Sequence, residues 1–451
     1  MEIIFLKYKE ETARKRERKR GNMKDTKQQK LDRRELNTPN AVLYRILGIV
    51  CKIMNAGTKT KFYYKAKPGE DKDQIVMISN HASRNDYLFT APPCLPKRLN
   101  YIVGYNEFFR FPNNVLLKVM QVVPKRNFTN DTYTIKQILK LKQKGASFCF
   151  MPEGMSSITG MAQPVMPGGA KLLKKLGLPV YYSHISGGYL TFTKHCLDQR
   201  TGRVDVVVDR MFTAKELEEL SVEQIEDRMN RLLAHDDYIW NKEQQQSFVA
   251  KEAGEMAKSL DTLLYMCPKC GEMYKMTTSG NTMTCTACGN SIIIDDKYNI
   301  KPADENSVCP ELVTDWTIME RKQAESDVSK EDFSYKEHVA IGELPKYKDL
   351  TGDATSILCG EGELSLDHEG LHFVGKRNGE DFSFDMKPRE VPTFGMCTDI
   401  SRFYTFVKGE FIEFYPDKGD VLRWDHLTEE MHRFHGGKWQ NTEYRHTPDV
   451  L

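Results

Sequence analysis

Ile75-Val76-Met77-Ile78-Ser79-Asn80-His81-Ala82-Ser83-Arg84-Asn85-Asp86 reads as a short apolar strand that empties into a polar loop. An unbroken apolar run with a polar boundary predicts a strand covered on both faces, as in parallel sheets. His81 then falls at the strand's C-terminal end, the edge where α/β folds place ligands. If His81 and Asp86 shared one ideal helix, five steps of about 100° would set them about 140° apart. They meet if His81 lies in the loop and Asp86 in the first helical turn, where the positive helix end favours a carboxylate. In that arrangement a neutral imidazole can take the proton of a hydroxyl as it attacks a thioester carbonyl. The carboxylate fixes the tautomer and steadies the imidazolium. By itself the spacing fits a helix cap beside an ordinary histidine better than a catalytic pair.

Outward from this stretch, residues 60 to 240 alternate short β-rich runs with helical ones. Ile75–Ile78, Tyr101–Val103, Gln121–Val123, Ser147–Phe150, Pro179–Tyr182 and Val204–Val208 predict strands, and Thr132–Lys144 and Ala170–Leu176 predict helices. Such alternation predicts an α/β domain, closed by a helical stretch over 215–262. Ahead of it, Val42, Leu43, Ile46, Leu47, Ile49, Val50 and Ile53 recur at helical spacing. They predict an amphipathic helix over 40–56, either packed on the domain or lying in a membrane interface. Residues 1–34 carry 13 Lys/Arg against 6 Asp/Glu. Residues 1–39 therefore read as a basic arm, disordered or an exposed helix.

With these segments in order, the chain resembles the glycerolipid acyltransferase family that contains the 1-acylglycerol-3-phosphate acyltransferases. The resemblance spans about 60–210. It rests on Asn80-His81 through Asp86, on Tyr105-Asn106-Glu107-Phe108 leading to Val122-Val123-Pro124-Lys125-Arg126, on Phe150-Met151-Pro152-Glu153-Gly154-Met155-Ser156-Ser157, and on Leu178-Pro179-Val180. The resemblance implies His81 as general base, Asp86 as its orienter, and Arg126, Glu153 and Gly154 as acceptor-binding residues, with Lys125 and Arg84 as further candidates. It implies acyl-CoA or acyl carrier protein as donor, a lysophospholipid such as 1-acylglycerol 3-phosphate as acceptor, and a role in phospholipid biosynthesis. One departure stands out: the family's Pro-Glu-Gly-Thr-Arg-Ser has its arginine replaced by Ser156 here. Serine cannot supply a guanidinium's bidentate phosphate contact, so Lys125, Arg126 or Arg84 must compensate or the acceptor differs. An acyltransferase with another hydroxyl or amine acceptor, and a non-catalytic lipid-binding adaptor, are the alternatives.

Cys267-Pro268-Lys269-Cys270 and Cys285-Thr286-Ala287-Cys288 form a C-x2-C-x14-C-x2-C pattern. Four thiolates at this spacing predict a zinc ribbon over 263–300 with a structural Zn2+, since no position is left open for water. No basic cluster with interleaved aromatics accompanies it, so nucleic acid is not expected as a partner. The remaining seven cysteines show no pairing pattern. His184 reads as a core or edge histidine.

Residues 310–451 change character. Gly362–Leu366, Leu371–Val374 and Phe403–Val407 predict strands separated by turns at Asn378-Gly379, Lys408-Gly409 and Asp417-Lys418-Gly419. A helix over Trp424–Phe434 follows. Small strands closed by one helix resemble a PH-type or GRAM-type domain, with Trp424, Phe434 and Trp439 in its core. The expected organisation is thus a basic arm (1–39), an α/β acyltransferase domain with its N-terminal helix (40–262), a zinc ribbon (263–300) and a mainly β domain (310–451).

Length fits two or three domains, and 40% apolar with 28% charged residues fits a globular chain. No apolar run reaches the roughly 20 residues needed to cross a bilayer, and no signal-peptide pattern opens the chain. The expected location is cytoplasmic, peripheral at the inner face of the membrane, with the membrane surface as a partner.

Overall fold

Val76–Ser79 form the expected strand, buried along its whole length. In the computed structural model, which describes residues 25–437 apart from 253 and 398, this strand lies inside a seven-stranded sheet. In chain order its members are β1 (Lys61–Tyr64), β2 (Val76–Ser79), β3 (Leu99–Gly104), β4 (Val123–Lys125), β5 (Ser147–Phe150), β6 (Val180–Ser186) and β7 (Asp205–Phe212). In space they run β1-β7-β6-β2-β5-β3-β4. Strands β6, β2, β5, β3 and β4 are mutually parallel, while β7 is antiparallel to β6 and pairs with β1 at one edge.

Alternation along these strands feeds two cores. Met77, Cys149 and Tyr181 face one side, with Tyr44, Cys51, Leu88 and Phe89. Val76, Ile78, Phe148, Phe150, Val180 and Tyr182 face the other, with Ile138, Leu173 and Met229. A strand buried on both faces needs this double supply of apolar residues, which explains the unbroken run at 75–78.

Two expectations shift. The strand expected at Gln121–Val123 starts two residues later, because Gln121 sits at φ 55° in the turn that precedes it. The stretch 215–262 is not continuously helical. It holds helices Ala214–Glu219, Val222–Leu233 and Asp237–Gln244, then irregular chain. Gln245, Gly254 and Ser259 take positive φ there, which no right-handed helix allows.

The helix expected over 40–56 is α2 (Ala41–Gly57), capped by Asn40, whose side chain accepts from Val42 N and Leu43 N. Such a cap contributes about 1 kcal/mol. Tyr44, Gly48, Cys51 and Asn55 form its buried face, and a Cβ on Gly48 would stand 2.7 Å from Leu95 Cδ1, so a larger residue there would make Leu95 shift.

The boundary of the basic arm needs correction. Residues 25–37 are built into the α/β domain rather than hanging from it. Helix α1 (Lys27–Asp32) starts at a Thr26/Gln29 capping box. Leu31 and Leu36 are buried, and the Lys144 ammonium reaches Glu35, Leu36 O and Asn37. Apolar residues among the charges supply the anchor. Residues 1–24 of the arm lie outside the described residues.

Further on, β8 (Met276–Ser279), β9 (Thr282–Cys285), β10 (Ser291–Ile294) and β11 (Ile300–Pro302) make a four-stranded antiparallel sheet. A helix, Val313–Val328, fastens it: Trp316 Nε1 donates to Met266 O at 2.7 Å, and Met266 N donates to Glu320.

The C-terminal part is mainly β. Strands β12 (Ser334–Glu343), β13 (Ile357–Asp367), β14 (Gly370–Arg377), β15 (Glu380–Met386), β16 (Gly395–Met396), β17 (Phe403–Val407) and β18 (Glu410–Pro416) run antiparallel in the order β15-β14-β13-β12-β18-β17-β16. The turns Asn378-Gly379 and Lys408-Gly409 have both residues at positive φ, as two-residue hairpins require. A helix, Val421–Phe434, closes the domain with Trp424 fully buried. Phe434, expected in the core, is exposed because it ends that helix, and Trp439 lies outside the described residues.

This β domain is seated on the α/β domain. Tyr404, Phe406 and Phe411 join the core that holds Met77. The β12–β13 connection hooks in through Leu350, which exchanges backbone hydrogen bonds with Phe109 and Phe111.

Candidate active site and cysteine cluster

Strands β2 and β5 end side by side, with Ile78 opposite Phe150. The loops that leave them therefore meet, and these are the His81 loop and the Pro152-Glu153-Gly154 loop. Asn80 fixes the first by bridging to β6: its amide donates to Ile185 O and its carbonyl accepts from Ile185 N, both at 2.8 Å.

His81 lies in the loop and Asp86 immediately precedes helix α3 (Tyr87–Cys94), so the two side chains face each other. His81 Nδ1 is 2.8 Å from Asp86 Oδ2. The other oxygen accepts from Ser83 N at 2.9 Å and Ser83 Oγ at 3.1 Å. Burial pushes the Asp86 carboxyl above its ordinary range, and the bonds from His81 and Ser83 oppose that. An ionised carboxylate only accepts, so Nδ1 carries the proton and the lone pair sits on Nε2. Among the described residues Nε2 has no hydrogen-bond partner, and His81 lines a cavity of about 1950 Å³.

Glu153 does not face this cavity. Fully buried, it accepts from His81 N at 2.6 Å and Gln163 N at 2.8 Å. Burial pushes its carboxyl up to about 8. In this structure Glu153 holds the His81 main chain, and its side chain is not in the cavity lining. Ser157 N closes the same junction by donating to His81 O at 2.7 Å. Gly154 does line the cavity, at φ 82°, with its carbonyl accepting from Asn127.

Arg126 is likewise engaged elsewhere in this structure. Its guanidinium stacks over Tyr105 at 4.3 Å and pairs with Asp32 at 3.1 and 3.2 Å, outside the cavity lining. The acid comes from α1, a segment that the basic-arm reading left unattached. Lys125 and Arg84 do reach the cavity. Burial lowers Lys125, with Asp131 the opposing charge, and Arg84 stacks on Phe192 at 3.9 Å. His184 is a core histidine, donating from Nε2 to Ala234 O, and burial drops it to about 3.

Arg110 and Lys194 are among the cavity cations that have no place in the sequence expectations. Arg110 follows the turn Tyr105–Phe109, and Lys194 reaches Ser156 Oγ at 3.3 Å. Neither lies in a motif, and Lys194 sits in a loop whose path only the fold reveals.

The cavity walls are partly apolar. Leu47 of α2, and Leu116 and Leu117 of α4 (Asn113–Val119), line one side, and Tyr404 and Phe406 of the β domain line another. Around this wall two helices leave apolar faces exposed: Val42, Ile46, Ile49 and Ile53 on α2, and Val115, Leu116 and Val119 on α4. No helix among the described residues is long and apolar enough to cross a membrane.

Away from this site, the Sγ atoms of Cys267, Cys270, Cys285 and Cys288 all lie within 4.8 Å of one another. Cys267–Cys288 are 3.7 Å apart and Cys270–Cys285 3.9 Å. Zn–S bonds of about 2.3 Å in a tetrahedron require sulfurs about 3.8 Å apart, so the four residues fit such an ion.

Residues 60–185, less than a third of the chain, match the family model described as Acyltransferase. No curated protein matches the sequence. Among solved structures the chain is similar to the crystal structure of the 1-acyl-sn-glycerophosphate (LPA) acyltransferase, PlsC, from Thermotoga maritima. That likeness is at 14% identity over 42% of this chain and 77% of that one, with a TM-score of 0.36. The segment that carries His81, Asp86, Lys125, Arg126, Glu153 and Gly154 is the part that matches the Acyltransferase model, and it has α/β architecture.

Proposed function

We propose that this protein moves an acyl group from acyl-CoA or acyl carrier protein to the hydroxyl of a lysophospholipid such as 1-acylglycerol 3-phosphate, at a membrane surface. The observation that carries this reading is the His81 Nδ1–Asp86 contact of 2.8 Å beside a large, partly apolar cavity. The acceptor hydroxyl gives its proton to His81 Nε2 as its oxygen attacks the thioester carbonyl. Asp86 steadies the imidazolium that forms. The tetrahedral intermediate collapses by breaking the C–S bond, and the leaving thiolate takes the proton back from His81.

The exposed faces of α2 and α4 support docking on lipid, because both helices also contribute to the cavity wall. Of the two roles open to the 40–56 helix, its buried face serves packing and its exposed face suits an interface. The four cysteines would hold a structural Zn2+, fixing a segment too small to fold on its own core. A PH-type or GRAM-type identity for the β domain draws support from its strand order and closing helix.

The test is acyl transfer by purified protein and His81→Ala, with both donor classes and a panel of lysolipid acceptors. Turnover that falls at least about a hundredfold in the variant is the expected result, the scale of a lost general base. Equal activity in both removes His81 from the mechanism, and no turnover by either favours a lipid-binding adaptor. Ser156, in place of the family's arginine, favours a second reading with another hydroxyl or amine acceptor, which the panel separates.

A further inference from the structure

Ser156 leaves the loop after Gly154 without its cation, and Arg126 is engaged by Asp32 and Tyr105. Among the cations that line the cavity holding His81, Arg84, Arg110 and Lys194 stand together. They converge from different parts of the chain. Arg84 belongs to the loop between His81 and Asp86. Lys194 donates to the Ser156 hydroxyl at 3.3 Å. Arg84 stacks at 3.9 Å on Phe192, two residues before Lys194, so the two loops bring their charges to one place. Arg110 is 3.8 Å from Glu107, a carboxylate in the same lining.

The charges act on one another. Burial pulls Lys194 below its ordinary range and the Arg84 charge adds to that, against Cys397, Glu107 and Asp399; burial followed by the Arg110 charge lowers Arg84, with Glu107 opposing. Like charges held together in a partly desolvated cleft raise the energy of the empty site, and an anion there relieves it. A phosphate has enough oxygens for several charge-assisted hydrogen bonds at once. The position next to the His81 loop suits a phosphate carried by the molecule whose hydroxyl His81 deprotonates.

We propose that Arg84, Arg110 and Lys194 form a phosphate-binding subsite for the acceptor, with Lys194 standing in for the cation absent at Ser156. This rests on the acyl-transfer reading of His81. It deepens that reading by assigning acceptor recognition to residues outside the Pro-Glu-Gly loop and away from Arg126.

The test compares wild type with Lys194→Met, Lys194→Arg and the double variant Lys194→Met/Ser156→Arg. Rates are measured against both acceptor and donor concentration, and binding of glycerol 3-phosphate, glycerol and coenzyme A by calorimetry. Lys194→Met should raise the acceptor KM about tenfold or more, the scale of one charge-assisted bond, with the donor KM within about twofold. Lys194→Arg should keep most of the affinity, and Ser156→Arg should restore part of it in the double variant. Glycerol 3-phosphate binding should weaken in parallel, and glycerol should bind neither protein. An unchanged acceptor KM with unchanged glycerol 3-phosphate binding overturns the subsite. A rise confined to the donor KM and to coenzyme A binding overturns it too, by giving these cations to the donor's phosphates. If wild type turns over no lysolipid, the reaction fails, and glycerol 3-phosphate binding alone decides the subsite. Arg84→Gln repeats each arm should Lys194→Met not fold.

Discussion

The backbone N–H of His81 donates to Glu153 Oε1 at 2.6 Å, so the acid of the Pro-Glu-Gly loop holds the proposed base by its main chain. The other oxygen ties down Gln163 N. Glu153→Gln keeps the volume and one acceptor but loses the second. It should lower kcat about tenfold to a hundredfold by loosening His81, with the acceptor KM nearly unchanged. Glu153→Ala leaves two buried N–H groups without acceptors and should destabilise the fold by about 2–5 kcal/mol. Steady-state kinetics and urea unfolding test the two parts. A rise in acceptor KM at constant kcat would return Glu153 to the acceptor.

The same residue gives stability a pH dependence. Burial pushes Glu153 from 4.5 up to about 8. Between those values the folded protein retains a proton that the unfolded chain has released. The folded state then binds more protons, so this contribution to stability is full below about 4.5 and is lost as pH rises through about 8. Glu153→Gln has no such proton. Its unfolding free energy should change less steeply than that of wild type over this window, as denaturant titrations at several pH values would show. Parallel slopes would contradict the assignment.

Much of the architecture was legible where local chemistry dictates structure. The apolar run at 75–78, the hairpin pairs Asn378-Gly379 and Lys408-Gly409, and the cysteine spacing each carry their own geometry. The His81–Asp86 contact was legible because the loop and the helix start leave few ways for the two to meet. What the sequence concealed depends on partners far along the chain. Glu153 looks like a substrate acid until Gln163 and His81 are seen to claim both oxygens. Arg126 looks free until Asp32, 94 residues away, is seen beside it. Lys194 has no motif, and only the packing of Phe192 against Arg84 brings it to the cavity.

The Arg126–Asp32 pair yields a prediction opposite to that of the family pattern. A guanidinium stacked on Tyr105 and bonded to both carboxylate oxygens fastens α1 to the domain. Arg126→Ala should cost on the order of 1–3 kcal/mol and change the acceptor KM less than Lys194→Met does. Asp32→Asn should reproduce part of the loss, and a double-mutant cycle should show coupling of about 1 kcal/mol. A large acceptor KM effect without destabilisation would restore Arg126 as a substrate ligand.

The cysteine cluster makes metal content a matter of fold. Met266, next to Cys267, accepts from Trp316 Nε1 and donates to Glu320. Disorder in the knuckle therefore reaches a buried tryptophan in the following helix. Purified protein should contain zinc. Chelation or Cys285→Ser should lower the Tm and shift Trp fluorescence to the red, with activity lost only as structure is lost. Metal-free protein with an unchanged Tm would remove the structural role.

The exposed faces of α2 and α4 set the last prediction. Ile46 and Ile53 are 51% and 67% exposed on α2, opposite the face that carries Tyr44 and Cys51. On α4, Leu116 is 56% exposed while also lining the cavity. Apolar side chains left in water contribute little to the fold, so Ile46→Glu and Ile53→Glu should change unfolding free energy by about 0.5 kcal/mol or less. If these faces enter lipid, each substitution forfeits about 1.5–3 kcal/mol of apolar burial and adds the cost of placing a charge there. Binding to phospholipid vesicles should then fall at least about tenfold per substitution. Turnover of vesicle-borne acceptor should fall with it, while turnover of a short-chain, water-soluble acceptor should persist, because His81 and its cavity are untouched. Vesicle binding unaffected by either change would mean that these faces meet something other than lipid.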